Sequence, residues 1–286
     1  MKARPEKELN RWHRIRKDER YKAELFLRER EKYCVGASWR FLNMKESRDH
    51  IWYMPEAGGG ISALLIHNRQ SLFPVFGNNS QIPAPRFLNR FLCKVFIHAI
   101  QGLREDAERL EVLMEDQGYY AAERIEYVLM NLDSNVSPVT RAGPSGLILR
   151  PPLPKDEDNL WALQSAYERE EVLPANANLD PAVVRLNIQN ILKKEQVLVA
   201  ELDGQIVGKI NTSAESFTRY QIGGVYVRQD CRNLGIGSKM TAAFAEGLLA
   251  RGKGLSLFVK KRNAAACKVY RKIGFSVTAD YRITYY

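Results

Sequence analysis

The stretch Val225-Tyr226-Val227-Arg228-Gln229-Asp230-Cys231-Arg232-Asn233-Leu234-Gly235-Ile236-Gly237-Ser238 runs a β-branched strand into a glycine-bearing loop that opens a helix. The first turn of a helix presents backbone N–H groups with no intrahelical partner, and the helix dipole adds partial positive charge there. Phosphates bind at such places. Gly235 and Gly237 carry no Cβ and let an anion approach the backbone closely, while Arg232 adds a guanidinium fork and Ser238 a hydroxyl. Taken alone, such a pattern is more often a plain strand–turn–helix connection, so its flanks decide the reading.

Working outward, the strand Tyr220–Val227 is interrupted by Gly223-Gly224, a pair that marks a bulge or a close backbone approach. Before it, Val197–Glu201 and Ile206–Thr212 flank Asp203-Gly204, a hairpin turn signal. Earlier still lie a strand at Leu147–Arg150, a helix from the cap Asp156 to about Val172, and a helix from Pro181 to Lys194. After the loop, Ile236, Met240, Phe244 and Leu248 recur every fourth residue, so one face of that helix packs on a sheet. Leu255–Val259 is apolar throughout and reads as a buried central strand. Asn263 caps a helix ending at Gly274, and Phe275–Thr278 and Tyr281–Tyr286 are the last strands.

The ordered set Val225-Tyr226-Val227, Arg232-x-x-Gly235-x-Gly237, a long helix, an apolar strand, Asn263-Ala264-Ala265, Tyr270 and Gly274-Phe275 resembles the GNAT superfamily of acetyl-CoA-dependent N-acetyltransferases over roughly residues 145–286. The resemblance implies an α/β fold with a mixed, mostly antiparallel sheet flanked by helices, and acetyl transfer from acetyl-CoA to a primary amine of a small molecule or peptide. It implies that Val225, Tyr226 and Val227 lie along the pantetheine, and that Arg232, Asn233, Leu234, Gly235, Ile236, Gly237 and Ser238 hold the pyrophosphate. It places Asn263 near the cofactor's distal arm, and Tyr270 where a tyrosine protonates the departing thiolate; packing within its helix is the competing role. Glu170 and Glu171, at the end of a helix, stand where the family builds its acceptor site, a solvated helix end being the alternative.

The first half reads as a helix over residues 18–43 and a meander of Ile51–Met54, Ile61–Ile66 and Ser71–Phe76, with Gly58-Gly59-Gly60 as a hairpin turn. An apolar segment, Phe87–Ile100, holds His98, expected to be buried. A helix over 104–117 ends at the cap Gly118, and Ile125–Leu132 is a strand. Residues 133–146 have linker composition and set the expected domains at 1–140 and 145–286. Leu113–Met130 can be laid on Val269–Tyr286, Gly118-Tyr119 falling on Gly274-Phe275, so the first half is expected to be a diverged GNAT-like domain in tandem with the second. It lacks Arg-x-x-Gly-x-Gly and has Met114 in the place of Tyr270, so it is expected neither to bind CoA in the usual manner nor to catalyse.

The 286 residues carry a formal charge of +10, with Lys2, Arg4, Lys7, Arg11, Arg14, Arg16 and Lys17 concentrated early beside Trp12 and His13. Such an arm suits contact with RNA or acidic lipid, the alternative being a solvated charged terminus. An alternative whole-protein reading is accordingly a non-catalytic acyl-CoA sensor whose basic region grips nucleic acid. Cys34, Cys93, Cys231 and Cys267 have no paired spacing, which argues against a disulfide framework or a metal site. No apolar run reaches membrane-spanning length and the first residues are charged, so a cytoplasmic protein is expected.

Overall fold

The computed structural model of the chain describes residues 11–45, 49–77, 85–140, 142–173 and 178–286. It divides into two compact units, residues 1–128 with 279–286, and residues 129–278. The stretch of linker composition at 133–146 thus falls within the second unit, and the last strand of the chain passes into the first. Lys2, Arg4 and Lys7 of the basic arm lie outside the described residues.

In the first unit, β1 (His13–Arg14), β2 (His50–Pro55), β3 (Ile61–Asn68) and β4 (Ser71–Phe76) pair in sequence as antiparallel neighbours. Gly58 and Gly59 turn the β2–β3 hairpin at φ of 114° and 89°, values a side chain resists. Helices α1 (Arg20–Glu29) and α2 (Glu31–Leu42) replace the single helix expected over 18–43. The break at Arg30 carries neither glycine nor proline, the signals a sequence reading uses for a kink. After α3 (Pro85–Leu92), β5 (Ala99–Leu103) lies parallel to β4, and α4 (Arg104–Glu115) follows. The chain's last strand, Ser276–Tyr285, runs antiparallel to β5 in the register Leu103↔Tyr281 to Ala99↔Tyr285. Leu65, Leu72, Leu88, Ile100, Leu110 and Met114 form one core cluster between this sheet and its helices. His98 is exposed, because Ile97 and Ala99 on either side take the buried places; its ring lies 5.5 Å from that of Tyr285.

The strand β6 (Glu123–Leu132) leads into the second unit, whose elements are β7 (Ile148–Arg150), α5 (Glu157–Tyr167), α6 (Pro181–Lys194), β8 (Val197–Leu202), β9 (Gln205–Glu215), β10 (Arg219–Val227), α7 (Ile236–Leu249), β11 (Gly254–Lys260), α8 (Ala264–Ile273) and the start of β12 (Ser276–Tyr285). The strand order is β12-β6-β11-β10-β9-β8-β7. β7 to β10 form an antiparallel meander, and β10 and β11 are parallel. Asp203 and Gly204 both take positive φ in the β8–β9 turn, as a two-residue hairpin of the primed type requires. Ile236, Met240, Phe244 and Leu248 are all buried, and so are Leu255, Leu257 and Val259 of β11. Leu160, Leu163, Ile188, Val199, Ile206 and Tyr226 join α5 and α6 to the other side of the sheet.

Capping follows the sequence at α6, where the Asp180 carboxylate accepts from the Ala182 and Val183 amides, and at α8, where Asn263 Oδ1 accepts from Ala266 N at 3.1 Å. Asp156 makes no side-chain cap to α5; it accepts from Leu153 N at 2.7 Å and pairs with Arg150 at 2.6 Å, tying β7 to the start of the helix. Among the described residues no helix is long and apolar enough to cross a membrane.

Candidate functional site

β10 and β11 stay paired over Arg219↔Gly254, Tyr220↔Leu255 and Gln221↔Ser256, and the ladder stops there although both strands continue. The cause lies on the other edge of β10, where the register with β9 shifts between Gly223 and Tyr226. Gly224 sits in this bulge at φ of 59°, and a Cβ there would fall 1.9 Å from Asn211 Oδ1 and 2.7 Å from Lys209 Nζ. Lys209 is fully buried in β9, and its ammonium donates to Gly224 O at 3.0 Å and Asn211 Oδ1 at 3.1 Å. Asn211 in turn donates to Glu195 at 2.7 Å. Burial pushes the Lys209 amine down to about 7 against the pull of Glu195 and Glu168.

The bulge sets which groups face the gap. Arg228 N donates to Val207 O of β9, so by strand alternation Tyr226 also turns its main chain to β9, while Val225 and Val227 turn theirs to the edge that β11 has left. Tyr226 points its ring into the core, and so presents neither main chain nor side chain to the gap. Val227 O accepts from Arg232 Nε at 3.1 Å.

Beyond the strand, a 3₁₀ turn at Gln229–Cys231 leads to Asn233 at φ of 66° and Gly235 at φ of 79°. Gly235 stands at the N-cap of α7 without a side-chain cap, and the helix has no acid in its first turn. Its leading amides are therefore open to an anion. Arg232, Asn233, Leu234 and Gly235 are exposed, Gly237 and Ser238 half-buried, and Ile236 buried as a core anchor. Cys231 is buried, with Arg228 against its sulfur at 3.5 Å.

Helix α5 ends in a π turn, Glu168–Val172, that brings Glu170 to this loop and Glu171 to the cap of α8. Glu170 accepts from Tyr226 OH at 2.7 Å, Gln229 at 2.9 Å and Arg232 at 2.8 Å. Burial raises its pKa, but these three bonds outweigh it and hold the carboxyl below the ordinary range, so it is ionised and engaged. Tyr226 is pushed up to about 12 by burial and by that carboxylate. Glu171 accepts from Asn263 Nδ2 at 3.3 Å, and the buried Lys260 lies 3.8 Å from it while donating to Glu170 O at 3.0 Å. Asn263 thus serves two structural bonds, one to its own helix and one to the π turn. Tyr270 is buried, its ring 6.0 Å from Phe275, and burial, with Tyr167 and Glu171 nearby, raises its pKa further above the usual tyrosine value.

Of the fourteen residues read from the sequence, Val225 and Val227 turn their main chain to the gap, residues 232–238 form the loop and helix start beyond it, Glu170 is tied to Tyr226, Gln229 and Arg232, and Glu171 to Asn263, while Tyr226 faces the core and Tyr270 is buried beside Phe275. The sequence reading missed Lys209 and Tyr167, whose hydroxyl accepts from Gly224 N at 3.4 Å. The signal for Lys209 was available: a lysine within the apolar run of β9, where it can leave the core only by breaking the strand's alternation. Among the described residues no cluster of His, Cys, Asp or Glu is arranged to hold a metal ion.

Residues 160–275 match the model of the Acetyltransferase (GNAT) family. A GCN5-related N-acetyltransferase from Sphaerobacter thermophilus is similar in fold at 17% identity, over 96% of this chain and 94% of that one, with a TM-score of 0.62. An X-ray structure of a Drosophila protein is similar at 12% identity over 97% and 99%, with a TM-score of 0.65. A tandem GNAT protein from the clavulanic acid biosynthesis pathway is similar at 11% identity over 96% and 97%, with a TM-score of 0.57. Among curated proteins none matches the sequence. The mixed, mostly antiparallel architecture is the GNAT fold, and within it residues 160–275 match the GNAT acetyltransferase family model.

Proposed function

We propose that the second unit is an N-acetyltransferase that moves an acetyl group from acetyl-CoA to a primary amine of a small molecule or peptide by direct attack on the thioester. The observation that carries this reading is the gap between β10 and β11, bared by the Gly223-Gly224 bulge and ending at the uncapped α7 N-terminus. An extended acyl-CoA fits such a place: strand edge for its amides, helix amides for its phosphates, and at Gly235 a left-handed residue without a Cβ.

When bound, acetyl-CoA supplies an activated carbonyl. The chain's part is to orient it and to manage charge. Main-chain groups of Val225 and Val227 align the arm, and the Val227 amide is placed to donate to the carbonyl oxygen as charge develops there. The α7 amides, Arg232 and the Ser238 hydroxyl hold the pyrophosphate, with Asn233, Leu234 and Gly237 shaping the loop. Tyr270 keeps its proton because burial raises it above its ordinary 10, whereas a free thiol sits near 8.5. It therefore works by donating a hydrogen bond to the sulfur as charge builds, and full proton transfer to sulfur draws on the attacking amine. With Glu170 engaged by three donors, Glu171, which accepts one bond from Asn263, is the less committed of the two carboxylates and the one assigned to orient that amine.

Titration calorimetry with acetyl-CoA tests the reading. Saturable binding is expected, and no heat at high micromolar concentration would remove it. The Tyr270→Phe variant is expected to bind acetyl-CoA as the wild type does and to turn over about 100-fold more slowly, the usual cost of one transition-state donor. An unchanged rate would take Tyr270 out of the mechanism.

A further inference from the structure

The first unit contains a cavity of about 440 Å³, within the range of small-molecule sites, whose lining includes Tyr33, Cys34, Phe76, Gln101, Asp106 and Tyr281. Its origin is legible in one residue. β4 and β5 pair in parallel at Ser71↔Ala99 and Leu72↔Ile100, and the register ends there. Gly77 N donates to Ser62 O on the β3 side, so by alternation the main-chain N of residues 74 and 76 faces β5. At 74 that position is a proline, which has no proton to give. At Phe76 the amide turns instead to the carboxylate of Asp106, at 3.1 Å from Oδ2.

Asp106 stands in the first turn of α4, 6% exposed, where its burial pushes it up to about 7 despite Arg109 and Arg30. The other two charged groups of the lining neutralise each other: Arg30 pairs with Glu29 at 3.1 Å and stacks over the Phe26 ring at 4.0 Å. Apart from the neutral amide of Gln101, the remaining side chains of the walls are apolar or aromatic, including Ala37, Val75, Phe76, Leu103 and Tyr281, and burial raises the Cys34 thiol to about 12, leaving it an inert neutral wall. The Asp106 carboxylate accepts from the Phe76 amide and feels Arg109 and Arg30 only through space, so a ligand that brings a cation into direct contact with it, against the aromatic walls, has the strongest claim on it.

We propose that this cavity is a binding site for a small organic cation, an ammonium carried on an apolar or aromatic body, with Asp106 as the counter-ion. The site belongs to the first unit, takes no part in the proposed acetyl transfer, and gives that unit a ligand of its own.

Solution NMR of the full chain titrated with phenethylammonium chloride tests it, because the Phe76 amide reports directly on Asp106. The expected result is a saturable shift of that amide. Asp106→Asn, which keeps an acceptor for Phe76 N and loses the charge, is expected to weaken binding by about tenfold or more, the usual worth of a charge-assisted bond. The neutral analogue 2-phenylethanol is expected to bind the wild type correspondingly more weakly. Ala37→Leu, which fills the cavity and leaves the carboxylate in place, is expected to abolish the shift, and it carries the test should Asp106→Asn fold poorly. Tyr270→Phe should titrate as wild type, whatever the fate of the acetyl-transfer reading. No saturable shift at millimolar phenethylammonium, or equal affinity for 2-phenylethanol, or undiminished binding by either cavity variant, would overturn the proposal.

Discussion

Gly224 and Lys209 determine each other. The glycine's left-handed φ leaves a hollow that the lysine ammonium fills, and the ammonium holds the carbonyl that a side chain at 224 would displace. A consequence is measurable as a pH dependence. The folded chain holds the Lys209 amine near 7, whereas an unfolded lysine titrates near 10.5. Between those values the unfolded chain binds a proton that the folded chain does not, so this residue makes stability rise with pH across the window, by at most about 1.4 kcal/mol per unit. Below about 7 its burial cost is present in full. Denaturant unfolding of wild type and Lys209→Met at several pH values is expected to show the wild type gaining on the variant between pH 7 and 9, and a constant difference would disprove the shift. The sequence made Val225, Arg232, Gly235 and Gly237 legible because their roles follow from local backbone geometry. Lys209 showed in the sequence only as a charge within an apolar strand; its role was not legible, since the carbonyl it holds, Gly224 O, stands on the neighbouring strand and a one-dimensional pattern cannot show which inward-facing groups meet.

At the scale of elements, legibility tracked the presence of a terminal signal. α6 begins where Asp180 and Pro181 say it should, and the β8–β9 hairpin turns at Asp203-Gly204. Replacing Asp180 by alanine removes the acceptor for two amides and is expected to cost about 1 kcal/mol, read as a lowered midpoint in chemical denaturation without loss of acetyl-CoA binding. Where signals are absent the reading failed: the α1–α2 break has no helix breaker, and the π turn after α5 has no sequence mark among its Glu168-Arg169-Glu170-Glu171-Val172. That turn matters because one extra residue in the coil re-aims the carboxylates, so that Glu170 meets Tyr226, Gln229 and Arg232 while Glu171 meets Asn263. The ladder stops of the two parallel pairs, β4–β5 and β10–β11, arise from different residues, a proline in one and a glycine bulge in the other. Only the glycine pair looked unusual in the sequence, since a proline in a strand reads as an edge.

For the whole molecule, the resemblance between Leu113–Met130 and Val269–Tyr286 corresponds to a structural parallel: a helix, a glycine at positive φ and a long strand close both stretches. The chain does not keep each strand in the unit it follows, because residues 279–286 belong to the first unit. There Tyr281, Ile283 and Thr284 are buried against β5, and Arg282 pairs with Glu111 and Glu126. Deleting 279–286 is therefore expected to damage the unit at the opposite end of the sequence: proteolysis should cut within residues 11–128 first and leave a resistant fragment of the second unit. Cleavage falling first within 129–278 would contradict that expectation. The same arrangement constrains the order of events during synthesis. A chain is made from its amino terminus, and a domain can close only once its last strand has been delivered. The first unit, though translated earliest, must wait unfinished until residues 279–286 have been delivered, so a product interrupted before them carries an incomplete sheet with its β5 edge exposed.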